Sequence, residues 1–215
     1  MIKAVLFDLD GTLADTAPDL GYALNQQRQL HGLAPLAQAE IRPQASHGAR
    51  GLLKLGFNIT PQDASFAAMR EEYLQLYETH ICDHTQLFPG TLEILAELER
   101  RGILWGVVTN KPARFTRPLL EKLGLSKRTA CVISGDTTAN AKPHPEPLLH
   151  ACKEIGLACT ECLYIGDAER DVQAAVAAHM RVLIARYGYI DEQDQPEIWG
   201  AHGMIDTPGE ILSYL

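Results

Sequence analysis

The chain has 215 residues, of which 46% are hydrophobic and 21% charged, and a formal net charge of −8. A composition of that kind can bury a core, which excludes a charge-dominated disordered chain, and the length suits one domain or a core carrying a smaller insertion. The acid excess, with no basic run or arginine-rich helix face, excludes a nucleic-acid footprint, and the longest apolar stretches fall far short of the ~20 residues that cross a bilayer, so neither nucleic acid nor membrane is an expected partner.

The first element is an apolar run at Ala4–Phe7, read as a buried strand. Met1-Ile2-Lys3-Ala4-Val5 leads straight into it without a signal-peptide pattern, so the cytoplasm is the expected location. From Thr16 to about Gln86 no convincing strand follows, only helical spacing over residues 17–31, 37–45, 48–56 and 62–80. These segments are expected to pack as a small bundle, tethered by two passes of chain near Ala14 and near Leu87-Phe88-Pro89 and lying over a sheet edge. Further apolar runs at residues 104–108, 131–134, 163–165 and 182–185 alternate with helical patterns over 90–101, 113–123, 145–156 and 170–179. That alternation marks a parallel sheet covered on both faces. The expected architecture is α/β: a doubly wound parallel sheet with a Rossmann-like core, residues 1–15 and 87–215, and an inserted helical cap domain, residues 16–86.

Five cysteines stand at positions 82, 131, 152, 159 and 162. Cys159-Thr160-Glu161-Cys162 has the spacing of a redox or zinc half-site, but no second pair completes it, so a structural role is expected, with Cys162 opening a buried strand. His80 and His84 have helical ligand spacing without a third ligand and are expected to be surface or packing histidines.

Chemistry-bearing residues gather at strand ends. The first strand runs into Asp8-Leu9-Asp10-Gly11-Thr12, where alternation puts Asp8 and Asp10 on the same side at the edge where open α/β sheets bind ligands. Leu104–Val108 runs into Thr109-Asn110-Lys111-Pro112, a hydroxyl and an amide before a helix start that can hold phosphate oxygens. Ala141-Lys142-Pro143 places a lysine on a loop, and the next strand ends in Gly166-Asp167 with Asp171 four residues on. Singly, each has an ordinary explanation as a cap, a turn or a solvated charge.

The ordered set resembles the haloacid dehalogenase-like phosphatases, whose four motifs match Asp8-Leu9-Asp10-Gly11-Thr12, Thr109-Asn110, Lys142-Pro143, and Gly166-Asp167 with Asp171. The helical insertion after the first motif matches that family's cap of the first type. The resemblance implies Asp8 as nucleophile, forming an aspartyl-phosphate, and Asp10 as general acid and then base. It implies Mg²⁺ held by Asp8, the main-chain carbonyl of Asp10, and Asp167, with Asp171 orienting a metal-bound water or Lys142. Thr109, Asn110, Lys142 and main-chain amides near Leu9 and Asn110 are expected to hold the phosphoryl oxygens. Ser46-His47-Gly48-Ala49-Arg50 is expected to face the site from the cap, with His47 and Arg50 as specificity residues.

Segments outside the motifs, including residues 104–112, Lys142-Pro143-His144-Pro145-Glu146-Pro147, Arg186-Tyr187-Gly188-Tyr189-Ile190 and Trp199-Gly200-Ala201, resemble the phosphoglycolate phosphatase branch. The partner expected from this likeness is a small phosphorylated metabolite: N-acetylmuramic acid 6-phosphate, from peptidoglycan recycling, or alternatively 2-phosphoglycolate. A sugar-phosphate mutase or a catalytically silent binding protein would share the same frame. Two positions depart from the usual pattern: Ala168 replaces a polar residue after the metal aspartate, and His179-Met180 replaces a commoner Gly-Met.

Overall fold

The computed structural model describes all 215 residues. Strand β1 (Ala4–Phe7) leads into a two-residue strand β2 (Ala14–Asp15), then helices α1 (Ala17–Leu30), α2 (Gln38–Ile41), α3 (Gly48–Phe57) and α4 (Phe66–Thr79), and strand β3 (Gln86–Leu87). The remainder alternates: α5 (Thr91–Arg100), β4 (Leu104–Val108), α6 (Ala113–Lys122), β5 (Val132–Ile133), α7 (Glu146–Ile155), β6 (Cys162–Gly166), α8 (Glu169–Ala177), β7 (Arg181–Ala185) and β8 (Gly203–Ile205). Six strands form a parallel sheet in the order β5-β4-β1-β6-β7-β8. The chain turns outward from β1 in one direction through β4 and β5, then crosses back to β6, so the switch point that opens a ligand crevice lies at the C-terminal end of β1. No helix is long and apolar enough to cross a membrane.

Strand alternation divides the core into two layers. Val5 and Phe7, Leu163 and Ile165, and Leu183 and Ala185 enter the larger cluster, while Ala4 and Leu6, Cys162 and Tyr164, and Val182 and Ile184 enter the other. Both faces are apolar because helices cover both, which is why the strands read as unbroken hydrophobic runs. The larger cluster continues into α1, α3 and α4 through Leu20, Leu24, Leu52, Tyr73 and Tyr77. The inserted helices are thus packed onto the sheet domain, and Tyr77 of α4 meets Phe115 of α6 edge-on with ring centroids 5.5 Å apart.

Four differences from the sequence expectation have local causes. Residues 37–45 are not one helix: α2 ends at Ile41 and a 3-10 segment, Arg42–His47, takes over, because Pro43 has no N–H to continue the α-helical ladder. The last helix of the insertion starts at Phe66 rather than at 62, since the Asp63 carboxylate accepts from the Thr60 N–H and hydroxyl and closes a turn there. The two passes of chain into and out of the insertion pair as an antiparallel ribbon, Ala14 with Leu87 and Asp15 with Gln86. Buried Asp19 reinforces the ribbon by accepting from His84 N–H, Thr85 N–H and Thr85 Oγ1 at 2.9, 2.8 and 2.6 Å. Finally, the sheet has a sixth strand, β8, whose three residues are too few to show a period.

Cys131, Cys152, Cys159 and Cys162 gather at the smaller core cluster, while Cys82 packs against the larger one. Cys162 opens β6 fully buried, and its sulfur and that of Cys159 lie 3.8 and 3.2 Å from the Cys152 sulfur, all as free thiols. The His80 ring bonds Asp83 at 2.7 Å.

His179, where Gly is commoner, follows α8 with φ of 54°, the left-handed conformation that closes a helix, and Met180 N–H donates to Ala175 O at 2.9 Å. A side chain is strained there, so His179→Gly should stabilise the protein by ~1 kcal/mol, less the extra chain entropy glycine brings to the unfolded state. An increase in the urea midpoint at unchanged slope is the expected reading; a decrease would mean the imidazole makes a contribution larger than the strain.

Candidate active site

Four strand ends and the insertion converge above β1. Asp8 follows β1 and is 2% exposed; Thr109 follows β4, Asp167 follows β6, and Lys142 reaches in from the loop before α7. Lys142 Nζ sits between two carboxylates, 3.1 Å from Asp8 and 2.7 Å from Asp171, and its amine also donates to Val108 O and Tyr164 Oη at 3.0 and 2.7 Å. With no solvent around it, this ammonium is fixed as the one cation bonded inside the carboxylate cluster.

Carboxylate oxygens of Asp8, Asp167 and Asp171 all approach within 4.8 Å of one another, and all three residues are buried. Asp171 has both oxygens engaged, one by Lys142 and by Tyr164 Oη at 3.3 Å, the other by Ala168 N–H at 3.0 Å. Burial raises its pKa, but Lys142, Arg170 and these bonds outweigh it and hold the group below the usual carboxylate range. Asp8 goes the other way: burial, with the nearby Asp171, pushes it above its ordinary value despite Lys142. Asp167 is pushed up to about 7, first by burial and then by the charges of Asp8 and Asp171. Lys142 and the nearby Arg170 thus set two positive charges against three carboxylates, which leaves the cluster under-neutralised. An all-oxygen, buried and under-neutralised donor set fits a hard divalent cation.

Asp167 is also held from three directions. Thr12 Oγ1 donates to it at 3.2 Å, Ser46 Oγ at 2.8 Å and Tyr189 N–H at 3.0 Å. Ser46 comes from the insertion, so that bond ties the two parts of the chain at the carboxylate cluster. Gly11 makes room for the arrangement: its φ is +80°, and a Cβ there would collide with the Asp167 carboxylate.

Asp10 lines the cavity with Asp8, and one of its oxygens accepts from Thr16 Oγ1 at 2.6 Å and from Lys111 Nζ at 2.9 Å. Leu9 N–H donates to Asp8 Oδ1 at 2.7 Å, which fixes the carboxylate rather than leaving that amide open. Asn110 likewise uses its side chain within the protein, donating to Lys142 O at 2.8 Å and accepting from Lys142 N–H at 2.9 Å, and so clamps the loop that carries the lysine. The Asn110 main-chain N–H has no acceptor in the chain.

Above these groups lies a cavity of about 650 Å³ whose floor includes Asp8, Asp10, Thr109, Asn110 and Lys111 and whose roof includes Ser46, His47, Gly48, Ala49 and Arg50. His47 and Arg50 thus face the same space as Asp8. Sequence reasoning did not single out Lys111, Tyr189 or Arg170. Lys111, its side chain 6% exposed, pairs with Asp10 and lies 4.5 Å from the Tyr77 ring centre. Tyr189 Oη donates to Asp15 and accepts from Ala17 N–H, both at 2.8 Å, joining the ribbon to Asp167 through one residue. Adjacency to Thr109-Asn110 was the available signal for Lys111; Tyr189 lies 22 residues beyond Asp167 and offered none.

A family model described as haloacid dehalogenase-like hydrolase matches residues 5–185. The chain is 39% identical over 214 residues to the N-acetylmuramic acid 6-phosphate phosphatase of Pseudomonas aeruginosa, covering 100% of this chain and 95% of that protein. It is 42% identical over 209 residues to the phosphoglycolate phosphatase of Xanthomonas campestris, covering 97% of this chain and 94% of the relative. A crystal structure of a predicted phosphoglycolate phosphatase from Haemophilus somnus superimposes with a TM-score of 0.87 at 26% identity, over 99% of this chain and 97% of that one. Matched along nearly its whole length, the chain belongs to the haloacid dehalogenase-like hydrolases, a family of enzymes.

Proposed function

We propose that the protein is a Mg²⁺-dependent phosphomonoester hydrolase whose preferred substrate is N-acetylmuramic acid 6-phosphate. The observation that carries the reading is the buried Asp8 carboxylate at the end of β1, fixed by Leu9 N–H and Lys142 at the floor of the cavity. Residues 1–15 and 87–215 act as the catalytic core and residues 16–86 as its cap. A space of about 650 Å³ lies in the range that encloses drug-sized ligands and suits an amino-sugar phosphate better than a two-carbon one. The relatives named phosphoglycolate phosphatase keep 2-phosphoglycolate as the second reading.

In this mechanism an Asp8 oxygen attacks phosphorus and Asp10 protonates the departing alkoxide; Asp10 then takes a proton from the water that opens the aspartyl-phosphate. Asp8, Asp167 and the Asp10 carbonyl would hold Mg²⁺, which supplies positive charge against the phosphoryl oxygens. Lys142 neutralises the same oxygens, and Asp171 positions Lys142. The Thr109 hydroxyl and the free Asn110 N–H orient the transferring group. The Ser46 bond to Asp167 keeps the cap seated, which excludes bulk water until the alcohol has left.

Phosphate release by the purified protein with Mg²⁺, measured on the two substrates side by side, tests this. A kcat/KM at least ~10-fold higher on the amino-sugar phosphate is expected, since the larger leaving group has far more surface to bind in the cavity. The reverse preference would move the assignment to 2-phosphoglycolate with the chemistry intact, and no release from either would overturn the reading.

A further inference from the structure

The chain as a whole has 27 acidic residues against 19 Lys and Arg, yet its cavity inverts that balance. Five permanent cations line it, Arg50, Lys54, Arg70, Lys111 and Arg170, against the carboxylates of Asp8 and Asp10 alone. Lys111 is matched to Asp10 at 2.9 Å, and Arg170 stands on the floor beside the Asp8, Asp167 and Asp171 cluster. The surplus therefore lies in the cap. Arg50 and Lys54 are four residues apart on α3, which puts them on one helix face, and Arg70 is on the adjacent α4.

None of these three makes an ion pair or a side-chain hydrogen bond within the chain, although neighbouring cations do. Arg42 pairs with Asp15 at 2.8 Å, and Arg114 reaches across to Glu71 at 3.4 Å. Three exposed cations without partners on the cap side of one cavity raise the local potential and favour a ligand that brings negative charge to it. A phosphoryl group cannot be that charge, because its oxygens belong at the floor with Asp8 and Lys142. The negative charge must sit on the leaving group.

We infer that Arg50, Lys54 and Arg70 form a carboxylate subsite in the cap, so that the enzyme selects phosphomonoesters whose alcohol portion is itself a carboxylic acid. The inference rests on the phosphatase reading of this cavity and narrows it to a substrate class. It gives one physical reason why relatives named for N-acetylmuramic acid 6-phosphate and for phosphoglycolate share this frame: the two compounds differ greatly in size, but each carries a carboxylate besides its phosphate. Arginine on α3 supplies a planar fork for bidentate binding, and the lysine and second arginine add point charge and reach.

The decisive comparison is between N-acetylmuramic acid 6-phosphate and N-acetylglucosamine 6-phosphate, which differ only in the lactyl ether that bears the carboxylate. Wild-type kcat/KM should be at least ~30-fold higher on the acid, the scale expected for a charge-assisted contact. Arg50→Gln and Lys54→Gln should each reduce that ratio at least ~5-fold, chiefly through KM on the acid, Arg50→Lys should restore part of it, and Lys153→Gln, exposed on α7 outside the cavity, should leave it unchanged. A wild-type ratio near one, or a ratio indifferent to Arg50→Gln, Lys54→Gln and the further variant Arg70→Gln alike, would overturn the subsite while Asp8-dependent release from both sugars upheld the phosphatase. If neither sugar phosphate is hydrolysed, calorimetric titration of the protein with the same two compounds decides: tighter binding of the acid, lost in Arg50→Gln, supports the subsite, and equal affinities exclude it.

Discussion

Asp8→Asn should lower kcat by at least ~10⁴-fold while leaving the fold intact, because in the proposed mechanism it removes the one atom that forms a bond to phosphorus and nothing else in the cavity replaces it. The substitution is nearly isosteric, and the amide oxygen can still accept from Leu9 N–H at the 2.7 Å position, so the loss reports chemistry rather than shape. Acid quenching of the wild-type enzyme during turnover should trap label from ³²P-substrate on the protein, and the variant should trap none. Asp10→Asn provides the contrast. Its loss should be ~10²–10⁴-fold on a sugar phosphate, whose alkoxide needs a proton, and much smaller for phosphoenzyme formation from p-nitrophenyl phosphate, whose leaving group needs none. Equal losses on both substrates would remove Asp10 from the acid role. Retained label in the Asp8 variant would remove Asp8 from the nucleophile role.

The residues on which this test acts could be found from sequence because the chemistry sits at strand ends, and buried strands announce themselves as short apolar runs. Asp8, Thr109 and Asp167 each follow such a run, and the parallel register of β1 with β4 and β6 makes their convergence a consequence of the sheet. What could not be read was anything carried by a few residues or by a long jump in sequence. The ribbon of β2 and β3 has two residues per strand, and β8 has three, so neither shows a pattern. Asn110 illustrates a subtler limit: its place in the motif was legible, but that its side chain is spent on the Lys142 backbone is set by a loop 32 residues away. The cap cations were partly visible, since Arg50 was expected at the site, but nothing in the sequence singled out Lys54 or Arg70. Only the packing of α3 and α4 over the sheet shows that they line one cavity with Asp8.

That packing also has an electrostatic consequence at the cluster below. Asp167→Asn should abolish metal-dependent activity, by ~10³-fold or more, and at the same time make the metal-free protein more stable. Asp167 has its pKa pushed up to about 7, from an ordinary 3.8, by burial and by Asp8 and Asp171. Between those values the folded state holds a proton that the unfolded state has released, so in chelator the stability contributed by this group is present below pH ~4 and is lost as pH rises through ~7. At pH 8 the folded protein carries a buried charge it would rather not have. Asparagine removes that charge while its carbonyl still accepts from Tyr189 N–H or Ser46 Oγ, and Thr12 Oγ1 can accept from its amide. The expected gain at pH 8 in EDTA is ~2 kcal/mol, or ~4–8 °C in Tm for a chain of this size, shrinking as pH falls from ~7 and vanishing below pH ~4. Mg²⁺ should raise the Tm of the wild type at pH 8 and not that of the variant, since binding to the folded state alone is what stabilises. A variant less stable than wild type in EDTA at pH 8 would mean that the three hydrogen bonds to Asp167 outweigh the repulsion among the carboxylates, and that the cluster is held together by its own bonds rather than kept under strain for a cation.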